Sequence, residues 1–193
     1  MLTEKDVIKC ESVFNDDRSH RFIWKRIWDK EKPSVAVVAL NPAHADNIIL
    51  DTTTGLIINN VARLEHYGGV EIVNLFSQLT PKLNFRWNSP SELNDPQNDS
   101  YILKAAEECQ VVVLAWGKSA DSNVNIEKRA VEVINLLQKY KDKLFVISDE
   151  TGRSGLHPLT PALRNGWILE PFISKTEPAP TNKASDNNIP PAV

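Results

Sequence analysis

The sequence predicts an α/β fold, a three-layer α/β/α sandwich with a mainly parallel central sheet. Two observations carry this. Apolar runs break into polar or turn residues within 37–44, 72–76 and 113–120, and the run 144–148 leads into 155–159. Runs of that kind read as strands buried on both faces that deliver side chains to one rim of a sheet. Stretches of helical spacing lie between them, and helices alternating with strands are how parallel neighbours are connected.

The elements follow in order. Residues 20–28, with Phe22, Trp24 and Arg26 alternating with Ile23 and Lys25, predict a strand. A polar turn at 29–33 leads to a second strand at 35–40, and the two are expected to pair antiparallel at the sheet edge. From 56 to 67 two helical stripes run together, Leu56, Asn60, Arg63, Tyr67 and Ile57, Val61, Leu64, with Gly68 and Gly69 as the expected stop. A strand is expected at 70–75. A long Pro- and Asn-rich connection at 80–98 then carries Phe85, Arg86 and Trp87. A helix at 100–108 and a strand at 111–115 follow. The helix 126–140 has the clearest stripe, Ala130, Val133, Ile134 and Leu137. A core strand at 144–148 and an edge strand at 167–172 complete residues 1–174 as a single domain. The tail 175–193, rich in Pro, Asn, Ser and Lys, buries too little apolar surface to offset its ordering entropy and is expected to be disordered.

Composition narrows the function classes. The 193 residues suit one domain with a full core, and 41% apolar with 24% charged residues is a globular balance. No apolar run approaches the roughly 20 residues that span a bilayer, and the N-terminus lacks a signal-peptide layout. Cys10 and Cys109 stand far apart and make no metal site by themselves, so a reduced, cytoplasmic pair is expected. A net charge of −3 without a polybasic run argues against strong non-specific adhesion to nucleic acid. No G-x-G-x-x-G follows a strand and no P-loop is present, which disfavours dinucleotide and nucleoside-triphosphate sites.

The polar residues delivered by the strand ends are Asn41, Asn74 and His157, with no nucleophilic Ser or Cys and no metal cluster among them. Such a set orients and reads a ligand rather than attacking it covalently. Each residue also has a plainer reading. Asn41 can cap a turn. Asn74 can satisfy backbone groups at a strand end. Asp46 and Asp51 can assist a water or bind a metal, or simply make local turns. Trp116 reads as core and Gly117 as a tight turn. Arg21, Lys25 and Arg26 are either a basic stripe for DNA or edge-strand charges that prevent aggregation. Phe85, Arg86 and Trp87 are either a single-strand contact or a loop anchor.

The order of these motifs resembles the uracil-DNA glycosylase superfamily. Asn-Pro-Ala-His at 41–44 is similar to its first motif, Asp-Pro-Tyr-His or Asn-Pro-Gly. Ile-Val-Asn-Leu-Phe at 72–76 resembles the strand whose Asn reads the base, Leu-Ala-Trp-Gly-Lys-Ser-Ala at 114–120 the turn after the third strand, and His-Pro-Leu-Thr-Pro at 157–161 the second motif. The chain also resembles a bacterial and phage family that carries Leu-Asn-Pro-Ser, Asn-Leu-Phe, Trp-Gly and His-Pro-Leu in this order, which implies no activity. The likeness spans about Arg21 to Leu163.

The resemblance implies a monomeric, cofactor-free glycosylase that acts on a flipped base in DNA. Asn41 would orient the attacking water, though an amide cannot take its proton as a carboxylate would. His157 would donate to the base as charge accumulates there, and Asn74 would match the donor and acceptor on a pyrimidine edge. Ala43 stands where some members place a Tyr against C5, so a base with a bulky 5-substituent would fit, such as one of phage DNA. Phe76 is the candidate for stacking on the base, a core role being equally open. Beside these, His44 reads as either a phosphate contact or a solvated loop His, Arg153 and Ser154 as either phosphate-holding or part of an exposed flexible loop, and Leu159 as either a duplex wedge or loop packing. Two further readings stay open on the same fold: a non-catalytic module binding a nucleotide or modified base, and a hydrolase of free nucleosides or nucleotides.

Overall fold

A computed structural model of the chain describes residues 1–43 and 47–173. His44, Asp46 and the tail 175–193 lie outside the described residues, so the expectations for them stand as sequence readings.

Seven strands form one sheet in the order β1-β2-β4-β3-β5-β6-β7. They are β1 (Lys9–Phe14), β2 (Arg21–Ile27), β3 (Ser34–Ala39), β4 (Gly69–Asn74), β5 (Val111–Leu114), β6 (Leu144–Ser148) and β7 (Ile168–Pro171). The helices are α1 (Thr52–Arg63), α2 (Pro90–Leu93), α3 (Asn98–Glu108) and α4 (Val124–Leu136). The α/β class holds, and the sheet is mixed. β4, β3, β5 and β6 run parallel to one another, while β2 and β7 flank them antiparallel and β1 pairs antiparallel with β2.

Burial explains this division. Ser-Val-Ala-Val-Val-Ala in β3 and Val-Val-Val-Leu in β5 are apolar on both faces and sit in the middle. One face carries Val38, Val73, Val112 and Leu114 against Ile102 and Ala105 of α3 and Ala130 and Val133 of α4. The other carries Val37, Ile72 and Val113 against Ile57 and Val61 of α1 and Leu156, Leu163 and Trp167. The chain therefore leaves β3 toward the α1 face and leaves β4 toward the α3 face. Connections that part to opposite faces open a crevice between adjacent strand ends.

Two sequence expectations are corrected. The strand at 21–27 does not pair with β3. It lies between β1, which the sequence did not announce, and β4. The pairing with β4 sets Lys25 opposite Glu71, and the partly exposed Lys25 pairs with the buried Glu71 carboxylate. Helix α1 begins at Thr52, where the Asp51 side chain accepts from the Thr54 N–H, and ends at Arg63 with Glu65 at φ 56°. Gly68 therefore does not end the helix. A Cβ there would lie 1.8 Å from the Asp29 carbonyl oxygen, so it is the close passage of two backbones that requires glycine.

Candidate functional site

Three strand ends meet at the crevice. Asn41 lies two residues beyond β3 and Asn74 is the last residue of β4. The pairing of the two segments continues past the strands: Leu75 and Phe76 N–H donate to the Ala39 and Leu40 carbonyls, and Thr80 N–H donates to Pro42. His157 arrives from β6. Its loop is tied by Leu156 N–H to the Ile147 carbonyl and by burial of the Leu156 side chain. Asn41, Asn74 and His157 line one cavity of about 180 Å³, together with Ala43 and Leu159. That is smaller than the roughly 300–1,000 Å³ of drug-sized sites and suits one small ring.

Hydrogen bonds set what each group presents. The Asn41 amide donates Nδ2 to the Thr80 carbonyl at 2.7 Å, so Oδ1 remains as an acceptor. Asn74 is 1% exposed, and its Nδ2 is buried without a hydrogen-bond partner. Its backbone carbonyl is held by Nδ2 of buried Asn98 at 2.9 Å, and the next carbonyl, of Leu75, by Nε of Arg129 at 2.9 Å. Nδ1 of His157 accepts from the Leu159 N–H at 3.1 Å, which fixes the proton of the neutral ring on Nε2. Desolvation lowers the His157 pKa, so the ring is neutral at pH 7.

Gly117 makes the approach of His157 possible. It follows β5 with φ 64°, and a Cβ there would stand 2.6 Å from the His157 Cβ and 3.0 Å from its backbone nitrogen. The tight turn expected at Gly117 is present, and the sequence had no sign of this second reason for glycine. Trp116 is buried in the core as expected.

Four expectations are corrected or narrowed. Phe76 does not line the cavity. It is 1% exposed in the opposite core cluster, with its ring edge-on to Phe85 at 5.5 Å. A core role wins because β4 continues straight into Leu75 and Phe76 on the α3 face. Arg153 and Ser154 are also off the cavity. The Arg153 guanidinium is bound to Asp149, which accepts as well from Thr151 Oγ1 and from the N–H groups of Thr151 and Arg153. These donors, Thr151 first, hold the Asp149 pKa down to about 2. The loop is thus internally bonded. In the connection 80–98, Phe85 is the anchor, and Arg86 stacks on an exposed Trp87 at 5.1 Å. Finally, Arg21, Lys25 and Arg26 do not form a stripe. Lys25 pairs with Glu71, and Arg26 lies over the Trp24 ring and donates to the Asn47 carbonyl.

Arg21 turns into the cavity instead, buried at 2% exposure. The cause is a β-bulge: Val13 faces Ile23 and Phe14 faces Arg21, so Phe22 is an extra residue. Phe22 stacks on Tyr101 of α3, and the alternation flips beyond it. Burial pulls the Arg21 pKa down to about 10, with the Asp51 charge opposing, so the guanidinium is charged at pH 7. Asp51 and Thr54 also line the cavity. A register shift of one residue leaves no sign in sequence, so the sequence groups Arg21 with Lys25 and Arg26, as a basic stripe or as edge-strand charges.

A family model described as "Protein of unknown function (DUF1643)" matches residues 21–159. The chain belongs to that family. The DUF1643 match begins at Arg21 and ends at Leu159, and every described residue that lines the cavity falls inside it. Strands β1 and β7 lie outside it. No curated protein and no solved structure matches the chain. Among the described residues, no group of three or more His, Cys, Asp or Glu side chains is arranged to hold a metal ion. No helix among them is long and apolar enough to cross a membrane. Cys10 and Cys109 are free thiols.

Proposed function

We propose that this DUF1643 chain is a DNA glycosylase that hydrolyses the N-glycosidic bond of a flipped, 5-modified pyrimidine, on a fold like that of the uracil-DNA glycosylases. The supporting observation is the meeting of Asn41, Asn74 and His157, from three separate strand ends, around one ring-sized cavity. The bond between C1′ and N1 breaks and its electron pair passes to the ring. The attacking water forms the new C1′–O bond, and the proton it releases neutralises the departing base. Asn41 Oδ1 orients that water, His157 Nε2–H donates to the base, and the unpartnered Asn74 Nδ2 reads its edge. Ala43 in the cavity wall leaves room for a substituent at C5. Such an enzyme acts as a cytoplasmic monomer without a cofactor, with Leu159, 44% exposed at the cavity, as the apolar wedge.

The test is base release from oligonucleotides carrying uracil, mismatched thymine, and hydroxymethylated or glucosylated cytosine. Abasic sites should form on at least one and should fall by about 100- to 1,000-fold in His157→Ala, the loss typical of one preorganised donor. Inertness of the pure, folded protein on all of them rejects the enzyme. A second reading, a module that holds a modified base without cleaving it, is favoured by one observation: no Phe, Tyr or Trp is among the described cavity-lining residues, with Phe76 in the core. Binding without cleavage would select it.

A further inference from the structure

Arg129 of α4 is buried at 8% exposure, yet it is not in the cavity wall. It stands with α3 and α4 on one face of the sheet, while the cavity opens toward α1 on the other. Every nitrogen of its guanidinium is engaged. Nε donates to the Leu75 carbonyl at 2.9 Å, both terminal nitrogens donate to the Asp99 carboxylate, and Glu132 lies 3.5 Å from one of them. A buried Arg bonded so completely holds a structure in place and is not open to a ligand. What it holds is the residue after Asn74.

The backbone there lacks the support of a sheet neighbour on one side. The ladder between β2 and β4 lapses after the Trp24–Ile72 pair, and contact resumes only where the Arg21 N–H donates to the Ser77 carbonyl. Within that gap the Asn74 and Leu75 carbonyls are held by side chains from two helices, Asn98 of α3 and Arg129 of α4. Asp99, in the first turn of α3 where the helix dipole favours a carboxylate, ties Arg129 to the same helix end. Directed bonds on two successive carbonyls fix the peptide planes that follow Asn74, and with them the direction in which its side chain projects. Inside the cavity no hydrogen bond to Asn74 Nδ2 does this.

We propose that Arg129 is a positioning residue of the cavity. From behind the sheet, by way of the Leu75 carbonyl, it aims the Asn74 amide at the bound base. This inference rests on the base-excision reading for the role of Asn74, and it adds a residue that touches neither base nor DNA. A displacement of about 1 Å at a group in contact with the substrate can cost about 100-fold in rate.

The experiment is a double-mutant cycle. Wild type, Arg129→Met, Asn74→Ala and the double variant are compared in single-turnover base release, on the oligonucleotide that the wild type processes fastest. Arg129→Lys is the conservative variant. Ile102→Val is the control, because it loosens the same core without removing a polar group. Each protein is checked for folding by circular dichroism and thermal unfolding. Arg129→Met should lose about 10- to 100-fold in base release. Arg129→Lys should lose less, since it keeps the charge beside Asp99 without the fork, and Ile102→Val should lose nothing. Once Asn74 is replaced by Ala, Arg129→Met should bring no further loss, whereas a merely structural effect would repeat in full. A full repeat, or no loss in Arg129→Met, overturns the role of Arg129 and leaves base excision standing. A second measurement needs no activity. The side-chain amide NMR signals of Asn74, assigned by their absence in Asn74→Ala, should shift in the Arg129 variants and stay in place in Ile102→Val. If the wild type releases no base, excision fails and these signals decide: a shift confined to the Arg129 variants upholds the aiming of Asn74, and unchanged signals overturn it. If Arg129→Met does not fold, Arg129→Lys replaces it in both measurements under the same criteria.

Discussion

Gly117→Ala tests the joint that brings His157 to the cavity, and it does so without any assumption about substrate. The change adds one methyl group at φ 64°. An L-residue held in that region costs about 1–2 kcal/mol. The new Cβ would also meet the His157 Cβ at 2.6 Å, its N at 3.0 Å and its Cα at 3.1 Å. Those atoms belong to backbone and the first side-chain carbon, so none can swing away as a flexible tip would. Overpacking of that kind costs a further ~1–3 kcal/mol. The total is about 2–5 kcal/mol, or roughly 4–20 °C in Tm for a domain of this size. Gly152→Ala is the control, because Gly152 has φ 80° with nothing within 4 Å of a built Cβ. It should show the backbone cost alone, about 1–2 kcal/mol. Urea unfolding of the three proteins gives both values, and ring NMR signals of His157 should shift in Gly117→Ala only. If Gly117→Ala is no less stable than Gly152→Ala, the close approach of the β5 turn to His157 is wrong.

Other outcomes follow from the same contacts. Asn98→Ala removes the buried donor to the Asn74 carbonyl and should cost about 1–3 kcal/mol in chemical unfolding, against near neutrality for an exposed Asn such as Asn59. His157 should titrate below the ordinary value of about 6.5 when followed by NMR. Because the unfolded state then binds the extra proton, this group lowers stability as pH falls below about 6.5, and His157→Gln should flatten that slope. Asp149 works in the acid range. Its pKa is held near 2, so its contribution is present above the unfolded value near 3.8 and is lost as pH falls through about 2. Amide exchange at Thr151 and Arg153 should therefore stay protected at pH 4 and open near pH 2; opening already at pH 4 would show that Asp149 does not hold the loop.

The apolar runs of β3, β4, β5 and β6, and the polar and turn residues after them, were enough to name the α/β class and to single out Asn41, Asn74 and His157. They were enough because a parallel strand buried on both faces has few polar positions before its end, Glu71 in β4 being held by its pairing with Lys25, so the polar residue that ends the run marks the rim. Local pattern stops there. Strand order is decided by which long-range pairing buries most surface, so β2 went beside β4 rather than β3, and no residue in 20–40 records that choice. The position of Arg21 was decided by one extra residue, Phe22, which finds Tyr101 across the α3 face and reverses the alternation behind it. Phe76 was decided the same way, by a core on the far face that Phe85 completes. Periodicity tells which residues alternate; only the packed neighbours determine where the alternation slips, and at this site the slip is what puts a cation in the cavity and keeps Phe22 out of its wall.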